Sequence, residues 1–333
     1  MTNVILAGRN RTAMAHAIYD RIANPISINK YEYQELLTTK FSDGELSVQL
    51  TASVRGKNVF LIETVNNAEE SLEILMTLDA LRRNGAEKIY LVNPYYAYCR
   101  QDKMEGDRGA IGAKVFADLY QSYNIAGIIT VDIHSPATQG FFNCAFINIR
   151  GVKVYSQLLQ DLDKSNLIIC SPDQGGVVRA SKFAEALDVN MVTINKKRLK
   201  ANEIHSMMLV GDVKDKDILI VDDMADTCGT LSKAVEYLLA EGAKSVSALV
   251  THAILSGKAF DNLSKSKLKK LYISDTYNTK WPEYSTIIKI NAYTSNITIP
   301  NCDLVIEQIS CIELLSKTIK TVVEGGSIHQ LNS

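Results

Sequence analysis

The 333-residue chain lacks the features that mark membrane, disulfide-rich or strongly charged proteins. No stretch approaches the roughly 18 consecutive apolar residues of a membrane span, and the apolar run near the start is too short for a signal peptide. The six cysteines are scattered singly without a C-x-x-C pair, as in reduced proteins. The formal net charge of −1 gives no general attraction to nucleic acid or to an anionic membrane. We therefore expect a cytoplasmic protein whose partners include neither nucleic acid nor membrane.

Three glycine-based signatures are missing as well. The chain contains no Gly-x-x-x-x-Gly-Lys-Ser/Thr loop, no Gly-x-Gly-x-x-Gly and no Gly-x-Ser-x-Gly. These absences argue against a P-loop NTPase, a dinucleotide-dependent dehydrogenase and a hydrolase with a nucleophile elbow.

Apolar runs of strand length alternate with segments of helical periodicity along most of the chain. This alternation predicts an α/β fold in which mainly parallel sheets are flanked by helices on both faces. The length allows two domains of ordinary size, and the boundary is best placed near 148–153. A single helix is expected over 154–162, and no regular element is assigned to 278–300.

One stretch, Asp217–Leu231, combines an apolar run, two carboxylates and a small-residue turn before a helical pattern. A loop between a strand and a helix presents N–H groups and a positive helix end, which suits phosphate. Thr227 and Thr230 add hydroxyl donors. Asp222 and Asp223 are then expected to face sugar hydroxyls, a metal ion or both. Helix capping is the alternative, but capping explains one Asp and one Thr rather than the whole run.

Other polar clusters follow predicted strands, and ligands collect at the carboxyl ends of parallel strands. We therefore predict one shared rim or two facing rims of functional residues. His134 is expected on the same side as Asp132. Zinc-type spacing is absent, so magnesium bridging a phosphate is the more natural metal. The clusters are Arg100–Asp102, Asp132 with His134, Asp173, Lys196–Lys200 and Asp222–Thr230.

Three of these segments have two interpretations each. Asp173, in Ser-Pro-Asp-Gln-Gly-Gly, indicates either a second phosphate cradle or a common tight turn. Lys196–Lys200 is either a mobile polyphosphate-binding segment or a solvated face. Tyr95, Tyr96 and Tyr98 either stack on a base or pack between elements. Together the clusters favour phosphoryl or pyrophosphoryl chemistry on a ribose phosphate.

The motifs in this order resemble the ribose-phosphate pyrophosphokinase (phosphoribosyl pyrophosphate synthetase) family. The resemblance covers about 3–273 and resumes at about 309. The motifs are Phe41-Ser-Asp-Gly-Glu45, Tyr98-Cys-Arg-Gln-Asp-Lys103, Val131-Asp-Ile-His134, Gln139-Gly-Phe-Phe142, Ser171-Pro-Asp-Gln-Gly-Gly176, Lys196-Lys-Arg198, Gly211-Asp-Val-Lys214 and Val221–Thr230.

The resemblance implies two phosphoribosyltransferase-like domains. Residues 1–150, joined by a C-terminal helix at 310–323, would form the ATP side, and 151–309 the ribose 5-phosphate side. The implied reaction transfers the β,γ-diphosphoryl group of ATP to O1 of ribose 5-phosphate and gives phosphoribosyl pyrophosphate and AMP. The family also implies Mg²⁺ as cofactor and a homo-oligomer built from dimers, with a hexamer expected.

The resemblance carries specific roles to matching positions. Lys196 and Arg198 match a mobile catalytic pair, and His134 and Asp173 match magnesium ligands. The set expected to contact ATP is Phe41, Asp43, Glu45, Arg100 and Gln101, the first three supplied in the family by a neighbouring subunit. The set expected to hold ribose 5-phosphate is Asp222, Asp223, Asp226, Thr227, Cys228, Gly229 and Thr230.

Departures from the family lie at Glu105 and Asp107, at Ser135–Thr138 and in a longer 277–308. These neighbourhoods lie near effector sites or subunit contacts in the family, so the response to phosphate and ADP stays open. Two other functions are compatible with parts of the pattern. One is a salvage phosphoribosyltransferase, which shares the 222–230 loop but usually has one domain. The other is a non-catalytic, synthetase-associated regulatory subunit.

Overall fold

The computed structural model describes residues 2–23, 30–291, 293–299 and 302–332 apart from 201–202, and describes no side chain within 196–206. Strands and helices alternate through two compact units. Unit 1 comprises Met1–Arg150 with Ile312–Ser333, and unit 2 comprises Gly151–Cys311. Within the described residues, no helix has both the length and the apolar character needed to cross a membrane.

The described part of unit 1 contains a seven-stranded sheet in the order β3-β2-β1-β4-β5-β6-β7. All neighbouring strands are parallel except β2 and β3. The strands are β1 Asn3–Ala7, β2 Tyr31–Lys40, β3 Leu46–Leu50, β4 Asn58–Ile62, β5 Lys88–Val92, β6 Gly127–Val131 and β7 Ala145–Ile149. The helices are α1 Thr12–Ile22, α2 Ala68–Arg83, α3 Gly112–Gln121, α9 Ile312–Glu324 and α10 His329–Asn332, with a 3-10 helix at Pro136–Phe141.

Burial in unit 1 follows from its apolar central strands. Every residue of β1 and β6 is buried, as expected for strands covered on both faces. Helix α9 packs against α1, so the C-terminal segment completes this unit. Because neighbouring strands in the middle of this sheet are parallel, their carboxyl ends lie side by side at one edge; these strands are β1, β4, β5 and β6.

The described part of unit 2 contains a nine-stranded sheet in the order β10-β9-β8-β11-β12-β13-β16-β15-β14. Its central strands are parallel, and both ends carry antiparallel strands. The strands are β8 Leu167–Ser171, β9 Met191–Lys200, β10 Glu203–Val210, β11 Asp217–Ala225, β12 Ser245–Ala253, β13 Lys270–Ser274, β14 Thr286–Lys289, β15 Thr294–Thr298 and β16 Val305–Ile309. The helices are α4 Gly151–Val154, α5 Ser156–Asp161, α6 Val177–Leu187, α7 Gly229–Ala240 and α8 Ala259–Lys265.

The structure corrects three local expectations in unit 2. The single helix predicted over 154–162 is two short helices, α4 and α5, which break at Tyr155. The basic run at 196–200, for which a mobile segment was one interpretation, continues strand β9 and pairs with β10. The unassigned region 278–300 contains the hairpin of β14 and β15, which extends the sheet beside β16.

Candidate active site

Strand β11 lies in the interior of the unit 2 sheet, between β8 and β12. Ile218, Ile220 and Val221 are buried, which anchors the strand in the core. The strand was predicted to stop before the carboxylates, but it continues to Ala225, and Asp222 pairs with Val250 of β12. The two aspartates are therefore held on a regular strand rather than on a loop.

The segment between β11 and α7 makes an open turn of only a few residues. Cys228 adopts a left-handed backbone with φ of +60°, a conformation that is uncommon for residues other than glycine. It is the residue before α7, and its side chain makes no capping hydrogen bond. The first turn of α7 also contains no acidic residue. Helix capping therefore does not explain Asp226, Thr227 and Thr230.

The open turn has the properties of an anion cradle. The first N–H groups of an α-helix lack partners within the helix, and the helix dipole makes this end positive. In the described chain, the structure records no acceptor for the N–H groups of Thr227 and Cys228. Burial, with a smaller contribution from Asp226, raises the pKa of the Cys228 thiol to about 12. The thiol is therefore neutral and would not repel a phosphate.

The carboxylate pair beside the cradle shares one cation. Asp223 is buried and Asp222 is half-buried. Nη1 of Arg179, on α6, lies 3.5 Å from Oδ1 of Asp223 and 4.0 Å from Oδ1 of Asp222. Burial and the carboxylates of Asp223 and Asp173 raise the pKa of Asp222 well above its ordinary value, while Arg179 opposes the shift. Such a pair binds hydroxyls or a cation well, because either ligand relieves its repulsion.

Asp173 stands at the end of β8, in the turn that leads to α6. Its Oδ1 accepts a hydrogen bond of 3.0 Å from the Gly176 N–H, and its carbonyl accepts one of 2.7 Å from the Ser171 hydroxyl. The motif therefore forms a tight turn, while its role as a phosphate cradle or metal ligand stays a prediction. Because Asp173 contributes to the raised pKa of Asp222, the two carboxylates belong to one electrostatic cluster.

The basic segment lies at one end of the same sheet. The backbone of Lys196 is opposite Met207 in the β9–β10 ladder, and Arg198 is opposite Ile204, with irregular register between Glu203 and Ser206. The side chains of Lys196 and Arg198 lie outside the described residues. Their assignment as a catalytic pair stays a prediction.

The Arg100–Gln101 segment of unit 1 follows β5 and an aromatic turn. Tyr95 and Tyr96 are buried, so they are packing residues. Tyr98 has a left-handed φ of 62° and stacks on Phe116 with ring centroids 4.2 Å apart. Arg100 and Gln101 are exposed beyond this turn, where a ligand can reach them.

The structure contradicts the expected alignment of Asp132 and His134. Strand β6 ends at Val131, and Asp132 has a left-handed φ of 43°, which interrupts the alternation of side chains. Asp132 is buried whereas His134 is exposed. His134 is therefore accessible to a ligand, but the two side chains do not project together.

The Phe41–Glu45 turn joins β2 to β3 at an exposed edge of unit 1. The Phe41 N–H donates to the Glu45 carbonyl at 2.8 Å, and the Asp43 carboxylate accepts from the Glu45 N–H at 3.0 Å. Gly44 takes a φ of +96°, which favours glycine. The Phe41 side chain is 57% exposed. A large aromatic group is thus held on a defined turn without packing into its own unit.

Sequence reasoning missed three polar residues around the unit 2 site. Arg179 faces the carboxylate pair, Ser256 donates its hydroxyl to Asp226, and Asn262 donates its amide to the Thr227 carbonyl. The sequence could have pointed to Arg179, because this residue closely follows the Asp173 motif. The other two lie 30 and 35 residues from their partners, and only the fold brings them there.

Two family models match successive parts of the chain. Residues 3–123 match the N-terminal domain of ribose phosphate pyrophosphokinase, and 148–284 match the phosphoribosyl transferase domain. The chain belongs to the ribose-phosphate pyrophosphokinase family. This membership confirms the predicted family and the predicted enzyme class.

Individual relatives agree with this family membership. A ribose-phosphate pyrophosphokinase of Campylobacter jejuni is 44% identical over 72% of this chain and 79% of its own length. A relative of the same name from Chlorobaculum tepidum is 34% identical over 98% of this chain and 94% of its own length. Ribose-phosphate pyrophosphokinase A of Dictyostelium discoideum is 43% identical over 71% of this chain and 76% of its own length.

A solved structure matches almost the whole chain. The phosphoribosylpyrophosphate synthetase of Mycobacterium smegmatis superposes with a TM-score of 0.83 at 28% identity, covering 98% of this chain and all of that protein. The predicted fold class and the predicted ribose-phosphate diphosphokinase function are confirmed.

Proposed function

We propose that this chain transfers the β,γ-diphosphoryl group of ATP to O1 of ribose 5-phosphate, giving phosphoribosyl pyrophosphate and AMP for nucleotide biosynthesis. The observation that carries the proposal is the pairing of Asp222 and Asp223 with an uncapped helix N-terminus in a ribose-phosphate pyrophosphokinase family member. One end of this site suits a phosphate and the other suits sugar hydroxyls.

The acceptor substrate occupies unit 2 in this proposal. The 5-phosphate is bound by the N–H and hydroxyl groups of 226–230, and Asp222 and Asp223 accept hydrogen bonds from the ribose hydroxyls. Arg179 lies within 4.0 Å of both carboxylates and limits their repulsion. This arrangement fixes the direction of the sugar, which in-line attack by O1 requires.

Catalysis in this proposal depends on positive charge around the transferring group. Pyrophosphoryl transfer needs positioning and stabilisation of charge on the phosphoryl oxygens more than covalent chemistry. Lys196 and Arg198, on the β9–β10 hairpin, are the proposed source of that charge. Arg100, Gln101 and the Phe41 turn are the proposed ATP contacts in unit 1.

Magnesium fits the donor set as the proposed cofactor. In the described residues, no group of three or more His, Cys, Asp or Glu side chains is arranged to hold a metal ion. Mg²⁺ does not need one, because it typically takes one or two carboxylates together with substrate phosphates and water. His134 in unit 1 and Asp173 in unit 2 are the proposed ligands, each considered within its own unit, with the Asp222–Asp223 pair of unit 2 as a further carboxylate source. Bound there, it would neutralise charge on the diphosphoryl group.

The exposed Phe41 supports a homo-oligomer in which the turn serves a neighbouring copy. An aromatic side chain 57% exposed on a well-ordered turn makes little contact within its own unit. We place the protein in the cytoplasm because none of the six cysteines forms a disulfide, as is usual in a reducing compartment.

The direct experiment incubates the purified chain with Mg²⁺, ATP and ribose 5-phosphate in the absence of any nucleobase. AMP and phosphoribosyl pyrophosphate should form in equal amounts. A salvage phosphoribosyltransferase would instead require a nucleobase and would release no AMP. A regulatory subunit would be inactive alone. Repeating the assay with inorganic phosphate and with ADP would define the effector response.

A further inference from the structure

Residues 254–262, which comprise the connection after β12 and the first residues of α8, hydrogen-bond to the anion cradle. The N–H groups of Ile254 and Leu255 donate to the Ala225 carbonyl at 2.9 and 3.0 Å. The Ser256 N–H donates to the Asp226 carbonyl at 3.1 Å. Nδ2 of Asn262 donates to the Thr227 carbonyl at 2.8 Å. Three successive carbonyls of the cradle are therefore held by one neighbouring segment.

The direction of these carbonyls fixes the direction of the cradle N–H groups. The peptides of the described chain are trans, and in a planar trans peptide the C=O and N–H groups point in opposite directions. Holding the Asp226 carbonyl toward Ser256 turns the Thr227 N–H the other way. Holding the Thr227 carbonyl toward Asn262 does the same for the Cys228 N–H. Both donors then face the open side of the turn, where neither has a recorded acceptor in the described chain.

In the described chain, Asn262 is the residue outside the turn whose side chain holds a carbonyl of the cradle, while within the turn the Cys228 thiol donates to the Asp226 carbonyl at 3.9 Å. Ser256 uses its backbone for that purpose and its hydroxyl for the Asp226 carboxylate. The backbone of Asn262 is also fixed, because its main-chain carbonyl accepts a 3.2 Å hydrogen bond from the Ser232 hydroxyl of α7. The amide is thus placed between the turn and the helix that follows it.

We propose that Asn262 is a positioning residue that orients the Thr227–Cys228 peptide for binding the phosphate of the acceptor substrate. This inference rests on the proposed function of the 226–230 turn. Without the Asn262 donor, the peptide can rotate, and the Cys228 N–H no longer points steadily at the phosphate. The left-handed backbone of Cys228 makes this loss more serious, since an unsupported residue other than glycine disfavours that conformation.

The test uses three variants and a matched control. Asn262→Ala removes the donor, Asn262→Asp keeps the shape but sets an oxygen against the Thr227 carbonyl, and Asn262→Gln restores a donor at a longer reach. Ser264→Ala is the control, because that hydroxyl bonds only within the α8 region, to the Asp261 carbonyl. Each variant is examined by circular dichroism, by steady-state kinetics and by calorimetric titration with ribose 5-phosphate alone.

Asn262→Ala should raise the KM and Kd of ribose 5-phosphate about tenfold, the usual effect of one oriented hydrogen bond. The KM of ATP should change less than about twofold on the same scale. Asn262→Asp should be worse than Asn262→Ala, Asn262→Gln should recover part of the loss, and Ser264→Ala should match the wild type. A purely structural role would change kcat and both KM values together, and that result overturns the proposal.

Failure of this inference can be separated from failure of the proposed function. If the wild type makes AMP and the folded Asn262 variants bind ribose 5-phosphate normally, only the role of Asn262 is overturned. If Asn262→Ala does not fold, Asn262→Asp decides by the same criterion. A wild type that binds ribose 5-phosphate without making AMP overturns the function, while the binding data still judge Asn262. A wild type that binds no ribose 5-phosphate overturns both.

Discussion

The two units share the order of seven sheet strands, to which unit 2 adds β15 and β14, yet the N-termini of their corresponding helices are satisfied in opposite ways. Strand β4 of unit 1 and β11 of unit 2 occupy equivalent positions, each between the first strand of its unit and the next parallel strand. Each is followed by a turn and a helix, α2 in unit 1 and α7 in unit 2. The difference lies in what satisfies the first turn of the helix.

In unit 1 the chain itself satisfies the N-terminus of α2. The Asn67 side chain accepts a hydrogen bond from the Glu70 N–H, and the Glu70 carboxylate accepts from the Asn66 N–H. Glu69 adds a second carboxylate in the first turn. This reciprocal cap occupies the Glu70 N–H, and the carboxylates of Glu69 and Glu70 offset the positive potential that would attract a substrate phosphate.

In unit 2 the N-terminus of α7 has no side-chain cap and no acid in its first turn. The donors that Asn67 and Glu70 would satisfy are left for a ligand. The comparison shows that the same strand–turn–helix arrangement can bind an anion when the helix N-terminus has no side-chain cap. The residues that convert it are few and local.

The acidic residues at the carboxyl ends of β4 and β11 also differ between the two units. Glu63, which follows β4, is buried against Gly8. A Cβ atom on residue 8 would lie only 1.7 Å from Oε2 of Glu63, so the glycine leaves the room for this carboxyl. Burial raises the pKa of Glu63 to about 8, with Glu73 adding to the shift and Arg11 opposing it. Unit 1 thus stores a neutral acid in its interior, whereas unit 2 presents Asp222 and Asp223 beside Arg179 at its site.

The largest effect on the reaction is expected from the basic hairpin of unit 2. We predict that Lys196→Ala lowers kcat by about 100-fold or more, because a charge that acts in the transition state is removed. The Kd of ribose 5-phosphate, measured by calorimetry, should change far less. Equal losses in kcat and in binding would contradict the assignment of Lys196.

The carboxylates of the two units provide the next test. Asp223→Ala should raise the KM of ribose 5-phosphate about 10- to 100-fold, because hydrogen bonds to a charged group are lost. Glu63→Gln, at the corresponding strand end of unit 1, is the matched control and should leave that KM unchanged. An unaltered KM in Asp223→Ala would show that the sugar hydroxyls bind elsewhere.

Glu63 should instead govern stability as a function of pH. Its pKa is raised from an ordinary value of 4.5, so the folded chain holds a proton that the unfolded chain has released. Its stabilising contribution therefore falls as the pH rises from 4.5 through 8. Between pH 6 and pH 8 the wild type should lose about 2 kcal/mol of unfolding free energy relative to Glu63→Gln. Denaturant titrations of both proteins measure this difference, and parallel pH profiles would contradict it.

The smallest effect is expected from the cap of α2. Asn67→Ala should reduce the unfolding free energy by about 1 kcal/mol, the usual contribution of an N-cap side chain. The kinetic constants for ribose 5-phosphate should stay at wild-type values. A matching loss of substrate binding would mean that the N-terminus of α2 is itself part of a ligand site.

Much of the unit 2 site could be predicted because its order is local. The apolar run of β11, the small-residue turn and the helical spacing after Leu231 lie within one short stretch. The end of the strand could not be predicted, because the aspartates after Val221 resemble turn residues, and Asp222 and Met224 are extended through pairing with β12. The same holds for the basic end of β9, which is extended through antiparallel pairing with β10.

The directions of side chains and the contacts between distant parts of the chain could not be predicted from the sequence either. Asp132 interrupts the alternation after β6 through its left-handed backbone, which period-2 reasoning does not anticipate. Ser256 and Asn262 support the cradle from another part of the chain, so no local pattern points to them. The buried acid Glu63 was also missed, because a single glutamate after a strand resembles any polar residue at a sheet edge.

The most direct measurement is AMP formation by the purified chain from ATP and ribose 5-phosphate with Mg²⁺ and no nucleobase. The account predicts AMP and phosphoribosyl pyrophosphate in a one-to-one ratio, with formation abolished when ribose 5-phosphate is omitted. Absence of AMP from a folded chain that binds both substrates would contradict it.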